Sequence, residues 1–270
     1  MALLLQLVRG FLVGVAGLLP GLCGSTLLVL FKLYRPLTAA LARPFADLRG
    51  NLARFGPFFL AAGLGVLLGS RVLAALFVWH ETATLFLFMG FMAGALPGLV
   101  RHARRAPGGG PGRIAFAAMF LLCLALALLQ DRLAPRGEPV AGRWGVWLLA
   151  GAGIGLGSII PGASVAFILI HFGLYPPLLD GVSRLAPGIL LPVGLGAAAA
   201  IFLFARAADW LFRVAEGPAA RGVLGLVAGS LWLVYPGWPG GAHGLRCLLL
   251  FALGALLSAG LDRLAPAAEP

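Results

Sequence analysis

Two short stretches hold the residue types from which an anion site can be made. Pro20-Gly21-Leu22-Cys23-Gly24-Ser25-Thr26 and Pro161-Gly162-Ala163-Ser164-Val165-Ala166-Phe167 each set a Pro-Gly pair inside an apolar run. In lipid such a break frees N–H and C=O groups that water does not reach, so two breaks need a use. If a helix restarts after each break, its first N–H groups have no intrahelical partner and carry the positive end of the helix dipole. Ser25, Thr26 and Ser164 add hydroxyl donors, and the combination binds anions. The plainer use is a proline kink with small residues for close packing. The doubling at matched places favours binding, with Pro20, Gly21, Cys23, Gly24, Ser25, Thr26, Pro161, Gly162 and Ser164 as contact residues.

Arg71 and Arg206 each lie inside an apolar run, where a cation is costly and usually faces a polar path. Snorkelling to the nearer interface is the alternative, and for Arg206 a local cluster with Asp209 and Arg213 strengthens it. His171, in the arm after the second break, has the chemistry of a proton relay, although a lone histidine in an apolar stretch is more often simply hydrogen-bonded. Asp47, Glu81, Asp180 and Glu216 fall in expected loops and read as solvated. No His-Glu-x-x-His pattern, paired carboxylates or nucleophile with a base is present, so neither a catalytic residue nor a metal site is expected. Cys23, Cys123 and Cys247 lie in apolar runs without paired spacing, which argues against disulfides. No cofactor is implied.

The elements that position these residues are set by composition. With 61% hydrophobic and 11% charged residues the chain departs far from a soluble domain and reads as an all-α integral membrane protein. The net charge of +11 does not point to nucleic acid, because the basic residues sit mostly in short loops between apolar runs, as cytoplasmic loops do. The N-terminal MALLLQLVRGFLVGVAGLL recurs internally and is therefore expected to be retained rather than cleaved as a signal peptide.

That recurrence is a repeat. Shifted by 141 positions, Gly10 falls on Gly151, Gly14 on Gly155, Pro20-Gly21 on Pro161-Gly162, Phe31 on Phe172, Tyr34 on Tyr175 and Pro36 on Pro177. Likeness continues where Gly63 to Leu76 resembles Gly194 to Leu211, and where Met92 to Gly98 echoes Val227 to Leu233. The first repeat spans 1–130, with a broken segment at 3–33 and crossings at 55–79, 82–100 and 114–130. After a linker at 131–143, the second spans 144–262, with a broken segment at 144–175 and crossings at 187–212, 221–235 and 245–261. Gly10, Gly14, Gly151 and Gly155 have small-xxx-small spacing and read as packing devices.

As one straight helix, 144–175 would run roughly 48 Å, too long for a single crossing, whereas two arms of about 15 residues folded back at Pro161-Gly162 make a re-entrant hairpin. With re-entrant hairpins each repeat crosses three times and the repeats are inverted; with spanning segments they are parallel. Basic residues discriminate. On the inverted reading the cytoplasmic loops carry twelve and the outer loops four; on the parallel reading the division is ten against six. The expected fold is two inverted repeats, each a re-entrant helical hairpin plus three transmembrane helices.

At the two breaks the sequence resembles the bacterial polyprenyl-phosphate transporters, PopT-like proteins formerly filed as a domain of unknown function. The shared pattern is a Pro-Gly motif in each half, an apolar arm closed by Gly173-Leu174-Tyr175 or by Lys32-Leu33-Tyr34, and the downstream pair Ser70-Arg71. Cys23 stands where the family usually has Ser, and Val165 where it usually has Gly. The resemblance implies a flippase in the bacterial inner membrane that returns undecaprenyl phosphate, or a related polyprenyl phosphate, from the outer to the cytoplasmic leaflet. Its partners are then that lipid and the surrounding membrane lipids; a homodimer is compatible with it. The competing readings are a small-anion secondary transporter using the same half-helix ends and, more weakly, an intramembrane enzyme.

Overall fold

Every regular element among the described residues is an α-helix, as a backbone that must satisfy itself inside lipid requires. The computed structural model describes residues 2–21, 27–28, 30–33, 36–37, 48–105, 109–133, 144–159 and 165–264. In chain order the helices are α1 (Ala2–Ala16), α2 (Leu48–Arg105), α3 (Gly110–Leu133), α4 (Trp144–Ile159), α5 (Ala166–His171), α6 (Tyr175–Ser183), α7 (Pro187–Val214), α8 (Glu216–Val234) and α9 (Gly241–Leu264). Stretches in α2, α7, α8 and α9 are long and apolar enough to cross a membrane. Large apolar side chains such as Phe202, Leu60, Leu195 and Leu256 stand exposed on these helices, the arrangement of a lipid-facing surface.

α2 is two arms. His80 leaves helical geometry (φ −146°, ψ 55°), and the Phe77 and Phe88 rings on either side of it lie 5.7 Å apart. On a straight helix those residues would be separated by about 16 Å, so the arms 48–79 and 81–105 fold back on one another. Thr84 Oγ1 secures the bend, 2.9 Å from the His80 carbonyl and 3.2 Å from that of Leu76. The turn expected at His80-Glu81 is therefore present. Ala215 has nearly the same backbone geometry (φ −133°, ψ 45°) at the boundary of α7 and α8. It lies 135 positions after His80.

The same spacing of 135 recurs in helix packing. A methyl group on Gly90 would collide with the Phe251 carbonyl, and one on Gly225 with that of Phe116. Gly94 meets Ala255 and Ser258, while Gly229 meets Phe120 and Cys123. Gly10 and Gly14 press on Phe58 and Ala62, while Gly151 and Gly155 press on Val193 and Ala197. The small-xxx-small glycines are thus close-packing positions. This register also corrects one sequence match: Gly63 corresponds to Ala198 rather than Gly194, one helical turn away. The Gly-Leu-Gly likeness misleads because small residues recur once per turn on both helices. Arg71 and Arg206, however, fall on equivalent positions.

These contacts fix directions. Residue numbers rise together in each pair, so α1 runs parallel to the first arm of α2, α4 to α7, α3 to α8, and α9 to the second arm of α2. Because α1 and the next long helix point the same way, the chain between them must return. Beyond the first break, Phe31 lies 5.6 Å under the Arg9 guanidinium, and Leu33 and Leu37 pack on Phe55 and Phe58 at the start of α2.

The main core gathers both arms of α2 around the second broken segment: Phe77, Phe88 and Met92 meet Trp147, Phe167 and Leu179. Among the described residues the return arm expected to end at Tyr175 holds the short helix α5, and the loop expected at 173–187 contains α6. Gly173 (φ 67°) causes the division. The Leu174 N–H donates to the Leu169 carbonyl at 2.8 Å and the Gly173 N–H to that of Ile170 at 3.0 Å, a turn that ends a helix in the left-handed region. Asp180 consequently lies on α6, where it pairs with Arg184 at 2.8 Å and remains half exposed.

Candidate functional site

The first break is built from the end of α1. The Gly17 N–H still donates to Val13, but those of Leu18 and Leu19 tighten onto Val15 and Ala16, and Pro20 then has no N–H to give. Pro20 is fully buried. Gly21 takes φ 86° against the second arm of α2, where a Cβ would lie 2.6 Å from the Met92 nitrogen and 2.7 Å from the Phe91 carbonyl carbon. Only glycine satisfies both demands. Met92 is about midway along the arm 81–105, so the break sits at the middle of a crossing-length helix.

Past each break the chain closes with the same turn. Leu33 donates to Leu28 at 2.8 Å, as Leu174 does to Leu169, and Lys32 (φ 58°) occupies the left-handed position that Gly173 holds in the other copy. The sequence pairing of Lys32-Leu33 with Gly173-Leu174 is matched by backbone geometry.

Tyr175 brings the copies together. Its hydroxyl donates to the carbonyl of Leu18, two residues before Pro20, and its ring meets Phe77 and Phe88 edge-on at 5.8 and 6.1 Å. In an unbroken helix that carbonyl would accept from residue 22; the break leaves it open to the tyrosine. Sequence reasoning took Tyr175 only as the end of an arm. The available signal was a phenol in an apolar stretch, which needs a partner when buried.

Arg71 stands exposed near the end of the first arm of α2, and its Nε donates to the Ser183 carbonyl at the end of α6, 3.3 Å away. The adjoining Ser70 is fully buried and bonds within its own helix, to Leu67. Arg71 therefore couples α2 to the end of α6. Arg206 lies on α7 at the equivalent position; its side chain is outside the described residues. Cys23, Gly24, Ser25, Thr26, Pro161, Gly162 and Ser164 also lie outside them. His171 has Nδ1 3.1 Å from the Leu233 carbonyl and Nε2 3.3 Å from that of Leu126, bridging α8 and α3. Neutral imidazole has one N–H and can donate to only one of the two. The described residues contain no cluster of metal-ligating side chains.

Apolar helices with lipid-ready outer faces, interrupted by a buried Pro-Gly break and tied together in the core, define a helical membrane protein. The chain belongs to the VCA0040-like family, described as undecaprenyl phosphate translocase-like, which residues 2–107 and 110–243 match. It is also similar to the polyprenyl-phosphate transporter of Staphylococcus aureus (strain NCTC 8325 / PS 47), with 24% identity over 278 residues covering 96% of each chain. No solved structure matches it. The resemblance to the polyprenyl-phosphate transporters is thus borne out.

Proposed function

We propose that this protein is a flippase that returns undecaprenyl phosphate, or a related polyprenyl phosphate, from the outer to the cytoplasmic leaflet of the bacterial inner membrane. The observation that carries the reading is the bond from Tyr175 to Leu18, which joins the two broken segments where a headgroup path through the core would run. The full-length likeness to a named polyprenyl-phosphate transporter supports the substrate.

The chain is read as two repeats of opposite orientation, 1–130 and 144–262, each a re-entrant hairpin plus three crossings. Parallel packing of α3 on α8, and of α9 on the second arm of α2, supports inversion, since hairpin bends at His80 and Ala215 then give corresponding helices opposite directions. Return of Phe31 to Arg9 supports the re-entrant form. One end carries Arg101, Arg104, Arg105, Arg113, Arg221 and Arg263; the other carries Trp79, Trp144, Tyr235 and Trp238. The arginine-rich end is assigned to the cytoplasm and the aromatic end to the outer interface.

A phosphate headgroup does not cross hydrocarbon bare, whereas its isoprenoid tail stays in lipid. In the proposed path Arg71 receives the headgroup near the outer face, the residues at Pro20-Gly21 through Thr26 and at Pro161, Gly162 and Ser164 hold it at mid-depth, and Arg206 releases it on the other side. Inward movement opposes an inside-negative potential by about 2.3 kcal/mol per charge per 100 mV, a cost that coupling to a cation or proton would offset, with His171 as the candidate relay. Purified protein in liposomes should move polyprenyl phosphate between leaflets, and Arg71→Ala should abolish this without loss of folding. Uptake of a soluble anion without lipid movement would instead establish small-anion transport.

A further inference from the structure

Where the second arm of α2 ends and α3 and α8 begin, the helices flank a partly open cavity of about 230 Å³ lined by Arg104, Arg113 and Arg221 together with apolar side chains that include Phe116 and Leu224. Three guanidinium groups around one space repel one another. The side-chain ion pairs among the described residues join Arg101 to Asp262 and Arg184 to Asp180, so none of the three is neutralised by a carboxylate there. Arg221 is the most enclosed. It lies against the start of α3, where a methyl on Gly112 would be 2.7 Å from its Cδ and Nη1. Its Nη1 is buried and has no hydrogen-bond partner among the described residues. A buried charged donor without an acceptor is destabilising, a cost that an anion in the cavity would offset.

The molecule supplies its own comparison. At the spacing of 135, Arg221 corresponds to Phe86, Arg113 to Leu248 and Arg104 to Pro239. Val100 and Ala103, which also line the cavity, correspond to Tyr235 and Trp238. There the space is filled: Phe86 meets Tyr235 and Trp238 edge-on, each at 6.2 Å, and packs on Cys247, the counterpart of Gly112. The same helix junction is thus an apolar plug at one end of the protein and an arginine-lined cavity at the other; the positive-inside pattern accounts for basic residues at that end, whereas it does not account for burying the Nη1 of Arg221 without an acceptor.

We propose that this cavity is a binding site for a phosphate dianion, as inorganic phosphate or as the monoester headgroup of a lipid, separate from the two Pro-Gly breaks. Guanidinium forks match phosphate oxygens in pairs, and a phosphate monoester carries about 1.5 to 2 negative charges at neutral pH, against one on a phosphodiester. The positive end of the α3 dipole adds to the field.

The test is binding, so its outcome is independent of transport. Thermal unfolding of the purified protein in a nonionic detergent is followed at constant ionic strength against inorganic phosphate, farnesyl phosphate and phosphatidylglycerol. A saturable rise in Tm with inorganic phosphate identifies the free ion as sufficient; a rise with farnesyl phosphate alone identifies a lipid monoester. Either supports the site, provided that Arg113→Gln and Arg104→Gln, both at exposed positions, weaken the apparent affinity about tenfold or more, and Arg246→Gln, at an exposed position near the start of α9, does not. Arg221→Gln should remove the effect. Equal stabilisation of wild type and both exposed-arginine variants, stabilisation by phosphatidylglycerol alone, or no saturable effect of any probe would overturn the proposal.

Discussion

The hydroxyl of Tyr175 donates to the carbonyl of Leu18 across 157 positions of sequence, joining the helix that begins after one broken segment to the last turn before the other break. Tyr175→Phe should keep the ring contacts with Phe77 and Phe88 but leave that carbonyl without its donor. A loss of about 1–3 kcal/mol is expected in denaturant unfolding in detergent. The same variant should slow lipid movement in liposomes, whereas unchanged stability would mean that another donor reaches Leu18.

The matched turns at Lys32 and Gly173 predict opposite responses to opposite substitutions. Gly173→Ala places a Cβ at φ 67° with no steric neighbour within 4 Å, so it should cost about 1 kcal/mol from the backbone alone. Lys32→Gly relieves that cost at φ 58° and should raise Tm. Falling stability in both variants would show that the lysine side chain contributes more than its backbone costs.

Glycine-to-alanine replacements should divide by register. At Gly90 and Gly225 the added methyl collides with a backbone carbonyl of the neighbouring helix, and about 1–3 kcal/mol should be lost. At Gly63 it meets nothing within 4 Å, and the higher helix propensity of alanine should add about 0.5–1 kcal/mol. Unfolding of the three variants in one detergent decides this, and equal effects would contradict the assigned packing.

The Arg101–Asp262 pair joins α2 to α9, with side chains 52% and 34% exposed. Water screens such a pair, so Asp262→Asn should cost less than about 1 kcal/mol, and less still at high salt. A larger, salt-independent loss would assign Asp262 a buried structural role.

Composition alone made this an α-helical membrane chain, because an unbroken apolar run admits few other structures. The Pro20-Gly21 break and the reversal at His80 were legible for a related reason: proline, glycine and polar residues are conspicuous in an apolar background. The helices α5 and α6 were not legible, since the left-handed turn at Gly173 that separates them looks in sequence like any glycine in a membrane run. Nor was the exact repeat register in the second crossing, where small residues every turn made Gly194 as good a match to Gly63 as its true counterpart Ala198. The carbonyl of Leu18, the backbone partner of Arg71 and the convergence of Arg104, Arg113 and Arg221 were decided only by tertiary structure. Backbone acceptors have no side-chain signature, and the three arginines come from three helices, so the chain order that separates them carries no record of the space they share.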